Sequence, residues 1–342
     1  MKIALACNLK KKDKTKPVDY FSEFDSEETA QAIISALAKK GHSVDFVDLN
    51  YPDILSYFRK NRVDMVFNIA EGRFGKYRES EVPAVLDYLK IPYTGSRPFS
   101  LALALNKSLT KKILIAEGIP TPKSQLFLRG DEELNPELKF PLIVKPNREG
   151  SGKGIGLSSV FLKRETLYDK IREIIKVYNQ EALVEEFVDG KELTVGILGN
   201  NNPTILPILE IDFSDCVSSG EYFYSWRMKE FQGNKDLGLT PKFYCPARLD
   251  QETASIVKAA ALKTHKAIGC FDISRTDIRL NKDNTPYVLE INPLPGLNPR
   301  ESNFPMMAYA AGMKYEDIIE SILISASERE RSKIGQPISN RE

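Results

Sequence analysis

Two short segments, SRTDIRLN and PYVLEIN, carry the densest chemistry in the 342-residue chain. In the first, Arg275, Asp277 and Arg279 alternate with Thr276, Ile278 and Leu280; in the second, Glu290 and Asn292 alternate with Leu289 and Ile291. Strand side chains alternate with period two, so each segment gathers its polar set on one face. With NKDNT as the turn, Asp277 falls within about a residue of opposite Glu290. Two carboxylates and an amide oxygen then converge. Hard oxygen ligands from Asp277, Glu290 and Asn292 suit magnesium, with manganese as an alternative, because such an ion keeps waters and takes its remaining ligands from nucleotide phosphates. Read alone, the same face is better taken as a solvated hairpin whose charges form ordinary salt bridges, and it is the companion segments that reverse this.

A second constellation is VKPNREGSGKGIG, where a strand delivers Lys145 into a loop with Gly150, Gly152, Gly154 and Gly156. Glycines let the backbone take positive φ and close around an anion, so successive N–H groups cradle phosphate oxygens. Ser151 adds a donor and Lys153 a charge. The spacing is neither a Walker A loop nor a Rossmann fingerprint. Further on, ALVEEFVDGKEL reads as a strand running into an extended connector. Glu185, Glu186 and Val188 offer backbone groups to an adenine edge, and Glu192 is placed to accept from ribose hydroxyls. As plain structure, the same residues are a strand end with a DG turn.

Composition excludes several other chemistries. Lys plus Arg (48) and Asp plus Glu (47) nearly cancel, so no net field draws the chain to nucleic acid or an anionic membrane, and a small polar substrate fits better. No stretch of about 18 apolar residues occurs and MKIALACN is too short for a signal segment, which predicts a cytoplasmic protein. Four scattered cysteines without a CxxC pair argue for reduced thiols. The two histidines, His42 in a turn-like stretch and His265 in a helical one, read as surface residues, leaving catalysis to Lys, Arg and carboxylates.

The elements that must position these groups follow from periodicity. KIALAC, SVDFVDL, VDMVFNI and IPYTGS alternate with helical stretches, the first running from Ser26 as N-cap to Gly41 as C-cap, which predicts a parallel sheet with crossover helices over residues 1–96. An α+β unit around the glycine-rich loop is expected over 97–188. A third, with the charged hairpin, is expected over 189–330, followed by a frayed polar tail, 331–342, after a helix ending near Ser325. The aromatic stretch from Tyr222 to Pro246 reads either as a lid or as a loop packed into the core.

Together these segments resemble the ATP-grasp superfamily, and most closely the D-alanine–D-alanine ligase family. The resemblance runs in order through IPYTGS, FPLIVKPNREGSGKGIG, ALVEEFVDGKELTVGILG, FYSWRMKEF, YCPA, the RTD and LEIN hairpin, PLPG and AAGMKYEDII. It implies a three-domain α/β and α+β ATP-grasp fold with ATP between the central and C-terminal domains. It implies an ADP-forming carboxylate–amine ligase acting on amino acids through an acyl phosphate, a homodimer being compatible. Lys107, Lys145 and Lys229 match the family's phosphate lysines, Glu185, Val188 and Glu192 its adenosine contacts, and Asp277, Glu290 and Asn292 its magnesium ligands. Arg275 and the Gly296 N–H match the groups facing the transition-state oxyanion.

Departures cluster on the substrate side. Phe24 stands where the family places the glutamate that orients the first ammonium. Arg78 and Glu79 occupy two acidic positions, Glu230 follows Lys229 where the D-alanine enzymes carry an aromatic, and LNPRESNFP is a residue longer than the family's loop, leaving Ser302 or Arg300 to contact substrate. An altered amino-acid pair is therefore expected. Ligation of an amino acid onto a non-peptide scaffold, as in mycosporine-type natural products, and a non-catalytic nucleotide-binding module are the alternatives.

Overall fold

The computed structural model describes residues 1–11, 15, 18–50, 53–73 and 75–334. Parts of the lysine-rich segment before Val18, and the tail from 335, fall outside them. β1 (Lys2–Cys7), α1 (Glu27–Lys39), β2 (Ser43–Asp48), α2 (Ile54–Lys60), β3 (Met65–Asn68) and α3 (Glu81–Leu89) alternate along the chain, and the strands pair in parallel in the order β2-β1-β3. Next come α4 (Pro98–Leu105) and α5 (Lys107–Ala116), then β4 (Ser124–Phe127), β5 (Leu142–Pro146), β6 (Val160–Phe161), α6 (Leu167–Tyr178) and β7 (Ala182–Glu186). Those four strands form an antiparallel sheet ordered β4-β7-β5-β6.

The third sheet is built from β8 (Lys191–Leu198), β9 (Thr204–Ile205), β10 (Leu209–Asp212), β11 (Lys242–Tyr244), β12 (Ile273–Leu280) and β13 (Pro286–Asn292). Its order is β11-β10-β8-β12-β13, with β9 on β8. Helices α7 (Trp226–Glu230) and α8 (Gln251–Ile268) interrupt it, and α9 (Asn303–Ala310) and α10 (Tyr315–Ile334) follow it. No helix among the described residues is long and apolar enough to cross a membrane.

Capping chemistry sets the ends of α1. Ser26 Oγ accepts from Thr29 N–H at 3.2 Å, Glu27 and Glu28 meet the positive end of the helix dipole, and Lys39 meets the negative end. The residues just before this cap are thereby fixed in space. In β1, Ile3, Leu5 and Cys7 pack with Ile33 and Leu37 of α1 and with Ile319 and Leu323 of α10, while Ala4 and Ala6 pack with Phe58 and Leu86. A parallel sheet covered on both faces explains why KIALAC is continuously apolar.

Four details depart from the sequence reading. IPYTGS contributes one bridge, Tyr93 to Val66, rather than a strand, because Gly95 turns the backbone to positive φ. Helix α10 continues through Ile334 instead of fraying after Ser325. Its buried Arg329 donates to Asp272 (2.8 Å) and to the carbonyls of Gly95 (3.0 Å) and Tyr93 (2.6 Å), which outweighs the poor packing of its polar neighbours. The polar tail expected from 331 thus begins as helix. His265 is no surface residue: it is 4% exposed, with Nδ1 2.7 Å from Ser274 Oγ.

Burial pushes the His265 imidazole down from its usual 6.5 to about 4, so it is held neutral. Between those values the unfolded chain binds the proton and the folded chain does not, so stability falls as pH falls through that window. We predict about 2 kcal/mol lost between pH 7 and pH 5 from this group. Urea unfolding across that range, with H265Q flattening the dependence, checks it.

Candidate active site

A cavity of about 540 Å³ opens between β5 and β7 on one side and β8, β12 and β13 on the other, with residues 22–29 and the end of β3 forming its remaining wall. On β8 and β12, period two sends Leu193, Val195, Ile197, Ile278 and Leu280 into a core against α8. Arg275, Asp277 and Arg279 face the cavity. Asp277 pairs opposite Glu290 and Arg275 opposite Asn292, close to the expected register, and the register shifts at the Asp277/Ile278 step so that Leu289 has no partner. This bulge also moves Leu289 off the face predicted for it. Pro286, Val288 and Ile291 are buried, while Leu289 and Glu290 both line the cavity. One extra residue thus re-aims Glu290 to stand across from Asp277.

The convergent oxygens are oriented by neighbours. Asp277 receives Arg275 Nε at 2.9 Å and Nη2 at 2.7 Å, and Thr194 Oγ1 at 2.6 Å. Glu290 lies 3.1 Å from Lys107 Nζ. Burial, the largest influence, raises the Glu290 carboxyl, but Lys107 and Lys145 outweigh it and bring it to about 2. Two carboxylates with the Asn292 amide form an all-oxygen donor set, which fits magnesium and not a soft metal.

Lys107 opens α5, whose N-cap Asn106 accepts from Leu109 N–H at 3.2 Å, and its Nζ also donates to Glu149 O at 2.5 Å. Lys145 donates to Glu185 at 2.5 Å, and the other Glu185 oxygen lies 2.8 Å from Lys111 Nζ. Lys111, 1% exposed, escaped the sequence reading because it looks like any helix lysine; its burial lowers the ammonium to about 8. The Glu185 side chain is therefore a counter-charge between two lysines. The Glu186 carboxylate takes the Lys139 N–H at 2.9 Å and its own N–H donates to Lys123 O at 3.0 Å, while Glu186 and Val188 both line the cavity.

In the glycine-rich loop, only part of the expected cradle is available. Gly150 N–H is held by Glu23 (2.6 Å), Gly154 N–H by Asp19 (3.3 Å) and Gly156 N–H by Ser159 (3.0 Å). Among the described residues, the Ser151 and Gly152 N–H groups have no such partner. Ser151 sits at φ +54, and a Cβ on Gly152 would lie 2.7 Å from Trp226 N, so that position requires glycine. Lys153, expected to contribute charge to the phosphates, is instead buried against Glu149 and Glu23 and is not part of the cavity lining.

The aromatic stretch combines both readings made of it. Phe223 and Met228 are buried, whereas Tyr222 and Phe231 are exposed. Lys229 reaches across to Ser151 Oγ at 2.9 Å, and Trp226 Nε1 donates to Ser22 Oγ at 2.7 Å, so this segment covers the glycine-rich loop and touches the N-terminal wall. Lys229 faces the cavity, where desolvation and the nearby Arg275 lower its ammonium to about 8. Glu192 accepts from Tyr224 N–H at 3.3 Å and faces Arg279 at 3.4 Å. Gly296 lines the cavity, close enough to Ser302 that a Cβ would meet its Oγ at 2.8 Å.

Among the substrate candidates, Glu79, Glu230 and Ser302 line the cavity and Arg78 and Arg300 do not. Arg78 is consumed by Glu23, which it meets at 2.7 and 2.8 Å, and by Arg148 O. Arg300 is exposed and pairs with Glu28. Asp25 and Glu71 line the same wall as Glu79 and were missed, since nothing in their spacing marks them.

A family model for the D-ala D-ala ligase C-terminus matches residues 113–324. The D-alanine–D-alanine ligase of Carboxydothermus hydrogenoformans is 37% identical over 86% of this chain and 91% of its own. That of Pelotomaculum thermopropionicum is 33% identical over 89% of this chain and 92% of its own. The crystal structure of the Bacillus anthracis D-alanine–D-alanine ligase complexed with ATP superposes with a TM-score of 0.75 at 25% identity, covering 98% of this chain and all (100%) of that one.

The Lys111–Glu185–Lys145 cluster makes a stability prediction. Removing one partner of a buried ion pair strands the rest, so K111M is expected to cost about 3 kcal/mol in urea unfolding.

Proposed function

The chain belongs to the D-alanine–D-alanine ligase family, and from that premise we propose that its cavity activates an amino-acid carboxylate as an acyl phosphate and delivers it to an amine other than, or besides, D-alanine. The enzyme is an ATP-dependent, amide-forming ligase that uses ATP and magnesium. What supports the residue assignment is the coexistence, in one cavity, of Asp277, Glu290 and Asn292 with Lys107, Lys145, Lys229 and Arg275.

A carboxylate resists attack by an amine until one oxygen becomes a good leaving group, which phosphorylation supplies. Bound at Asp277, Glu290 and Asn292, magnesium would neutralise phosphate charge and polarise the transferring group. Lys107, Lys145 and Lys229 compensate the rest of the triphosphate, with Ser151 and Gly152 offering their N–H groups. The γ-phosphoryl passes to the substrate carboxylate; the amine then adds to the acyl carbon, and phosphate leaves. Two N–H edges of Arg275 are committed to Asp277, and Nη1 remains for the oxyanion. Together with the Gly296 N–H it serves the second step, where one preorganised donor is worth roughly 3 kcal/mol. Lys229 and the aromatic stretch exclude water from the acyl phosphate.

Mass spectrometry of products formed from mixed amino acids with ATP and magnesium tests this reading. Amino-acid-dependent ADP release with an amide product supports it, and no substrate-stimulated release across a broad panel sinks it. E290Q is expected to lower kcat by more than about 100-fold while the protein stays folded, read from circular dichroism; near-parental turnover would refute the metal assignment. E230Y is expected to change amine selectivity while leaving the KM for ATP in place, read from steady-state kinetics with each substrate varied.

A further inference from the structure

Three consecutive residues at the entrance of the glycine-rich loop each have a backbone group taken by a side chain from outside the loop. Arg148 O accepts from Arg78 Nη1 at 2.9 Å, Glu149 O accepts from Lys107 Nζ at 2.5 Å, and Gly150 N–H donates to Glu23 Oε1 at 2.6 Å. Arg78 joins the first of these contacts to the third, because its Nη2 also donates to both Glu23 oxygens, at 2.7 and 2.8 Å. One guanidinium, 9% exposed and outside the cavity lining, thus spans the entrance. Lys153 pairs with Glu149 and lies 3.5 Å from Glu23, and Glu149 Oε1 accepts from Gln180 Nε2 at 2.6 Å, so the acids around the guanidinium are themselves held.

Gly150 records independently how close this clamp sits. Gly152 and Gly154 take positive φ, whereas Gly150 does not, so its backbone conformation does not by itself demand glycine. What a side chain would meet there is Glu23: a Cβ on Gly150 would lie 2.9 Å from Oε1, and the three nearest atoms all belong to that glutamate. The glycine makes room for the carboxylate that Arg78 holds. A planar fork suits such a job, since its two arms reach a carboxylate and a carbonyl at once, which a single ammonium cannot do in the same geometry. The residues that follow the clamp are Ser151 and Gly152.

We propose that Arg78 is a positioning residue for phosphate binding: through Glu23 and Arg148 O it fixes the entrance of the glycine-rich loop, so that the Ser151 and Gly152 N–H groups meet the outer phosphates of the nucleotide. The inference rests on the assignment of those two N–H groups to the triphosphate under the proposed function. It moves Arg78 from the substrate side, where its place in the sequence put it, to the nucleotide side. Arg78 acts there through the loop and touches neither nucleotide nor amino acid.

Two variants reach the clamp from opposite ends. R78K keeps a positive charge beside Glu71 and Glu79 but loses the fork, and G150A leaves φ unstrained while pressing on Glu23. Affinities are measured with magnesium for the β,γ-imido analogue of ATP, by calorimetry, and for AMP, by displacement of that analogue. Each variant is expected to weaken the analogue about tenfold and AMP less than about twofold, since only the outer phosphates reach the loop. The double variant R78K/G150A is expected to stay within about twofold of the worse single one, because both act through Glu23; independent effects would multiply to about 100-fold. A loss shared equally by AMP and the analogue, an analogue affinity unchanged in a folded variant, or multiplying effects in the double variant overturns the inference. Melting temperatures check the folds, and should R78K not fold, G150A decides alone. The assay needs no amino acid, so a protein that binds the analogue as expected, yet releases no ADP with any amino acid, strikes the ligase reading and leaves this inference standing.

Discussion

Everything at the centre of this molecule depends on how β12 and β13 pair. Antiparallel register puts Asp277 across from Glu290 and Arg275 across from Asn292, and the unpartnered Leu289 is what lets Glu290 face the cavity while Val288 and Ile291 stay buried. Without a bulge here, strict alternation would put Val288 and Glu290 on one face and Ile291 on the other. Two carboxylates so close repel each other. Glu290 is held ionised by cations drawn from elsewhere: Lys107 from the start of α5, Lys145 from β5, and Arg275 from β12. The hairpin is thus the point on which the α5 helix cap and the β5–β7 sheet are aligned.

The face of this hairpin is legible in the sequence because period two is a strong signal, and the glycine-rich loop is legible because glycine spacing is. The bulge is not, since no residue type demands it at Leu289. Side-chain commitments are also hidden. Lys153 and Arg78 look free as letters, yet each is taken by an acid from a distant segment, Glu23, whose position depends on where α1 begins. Lys111 reads as a surface helix residue until α5 is packed beside β7. Conversely, Arg300 is a substrate candidate in the sequence because LNPRESNFP is a residue longer than the family's loop, and the structure turns it outward to Glu28. Helix α10 shows the same limit: SERERSK has no apolar stripe, and its last turns persist because one of its arginines is buried.

The cavity divides into two electrostatic halves. Cations on α5, β5 and the covering segment gather against β12 and β13, while the wall beneath β3 is acidic, with the Arg78 guanidinium beside it already taken by Glu23. Burial pushes the Asp25 and Glu79 carboxyls each up to about 7, and Glu71 well above its ordinary value, with Glu79 adding to the rise at Glu71. A protein tolerates such an arrangement where ligands of opposite sign complete each half. On the proposed function, the nucleotide and its metal complete the first half.

The Arg329 ion pair has a consequence for how the molecule comes into being. Asp272 sits immediately before β12 in a left-handed backbone conformation, taking the Gly95 N–H at 2.8 Å and Asn200 Nδ2 at 2.7 Å besides Arg329. That single carboxylate joins the first sheet, the turn after β8 and helix α10. During synthesis the first sheet emerges early, but the arginine that anchors the entrance to β12 leaves the ribosome only after all the strands it steadies. Half-made chains can collapse and pair their sheets. Until translation passes residue 329, the hairpin they hold lacks its buried anchor, so the entrance to β12 is the last part of the molecule to be fixed in place.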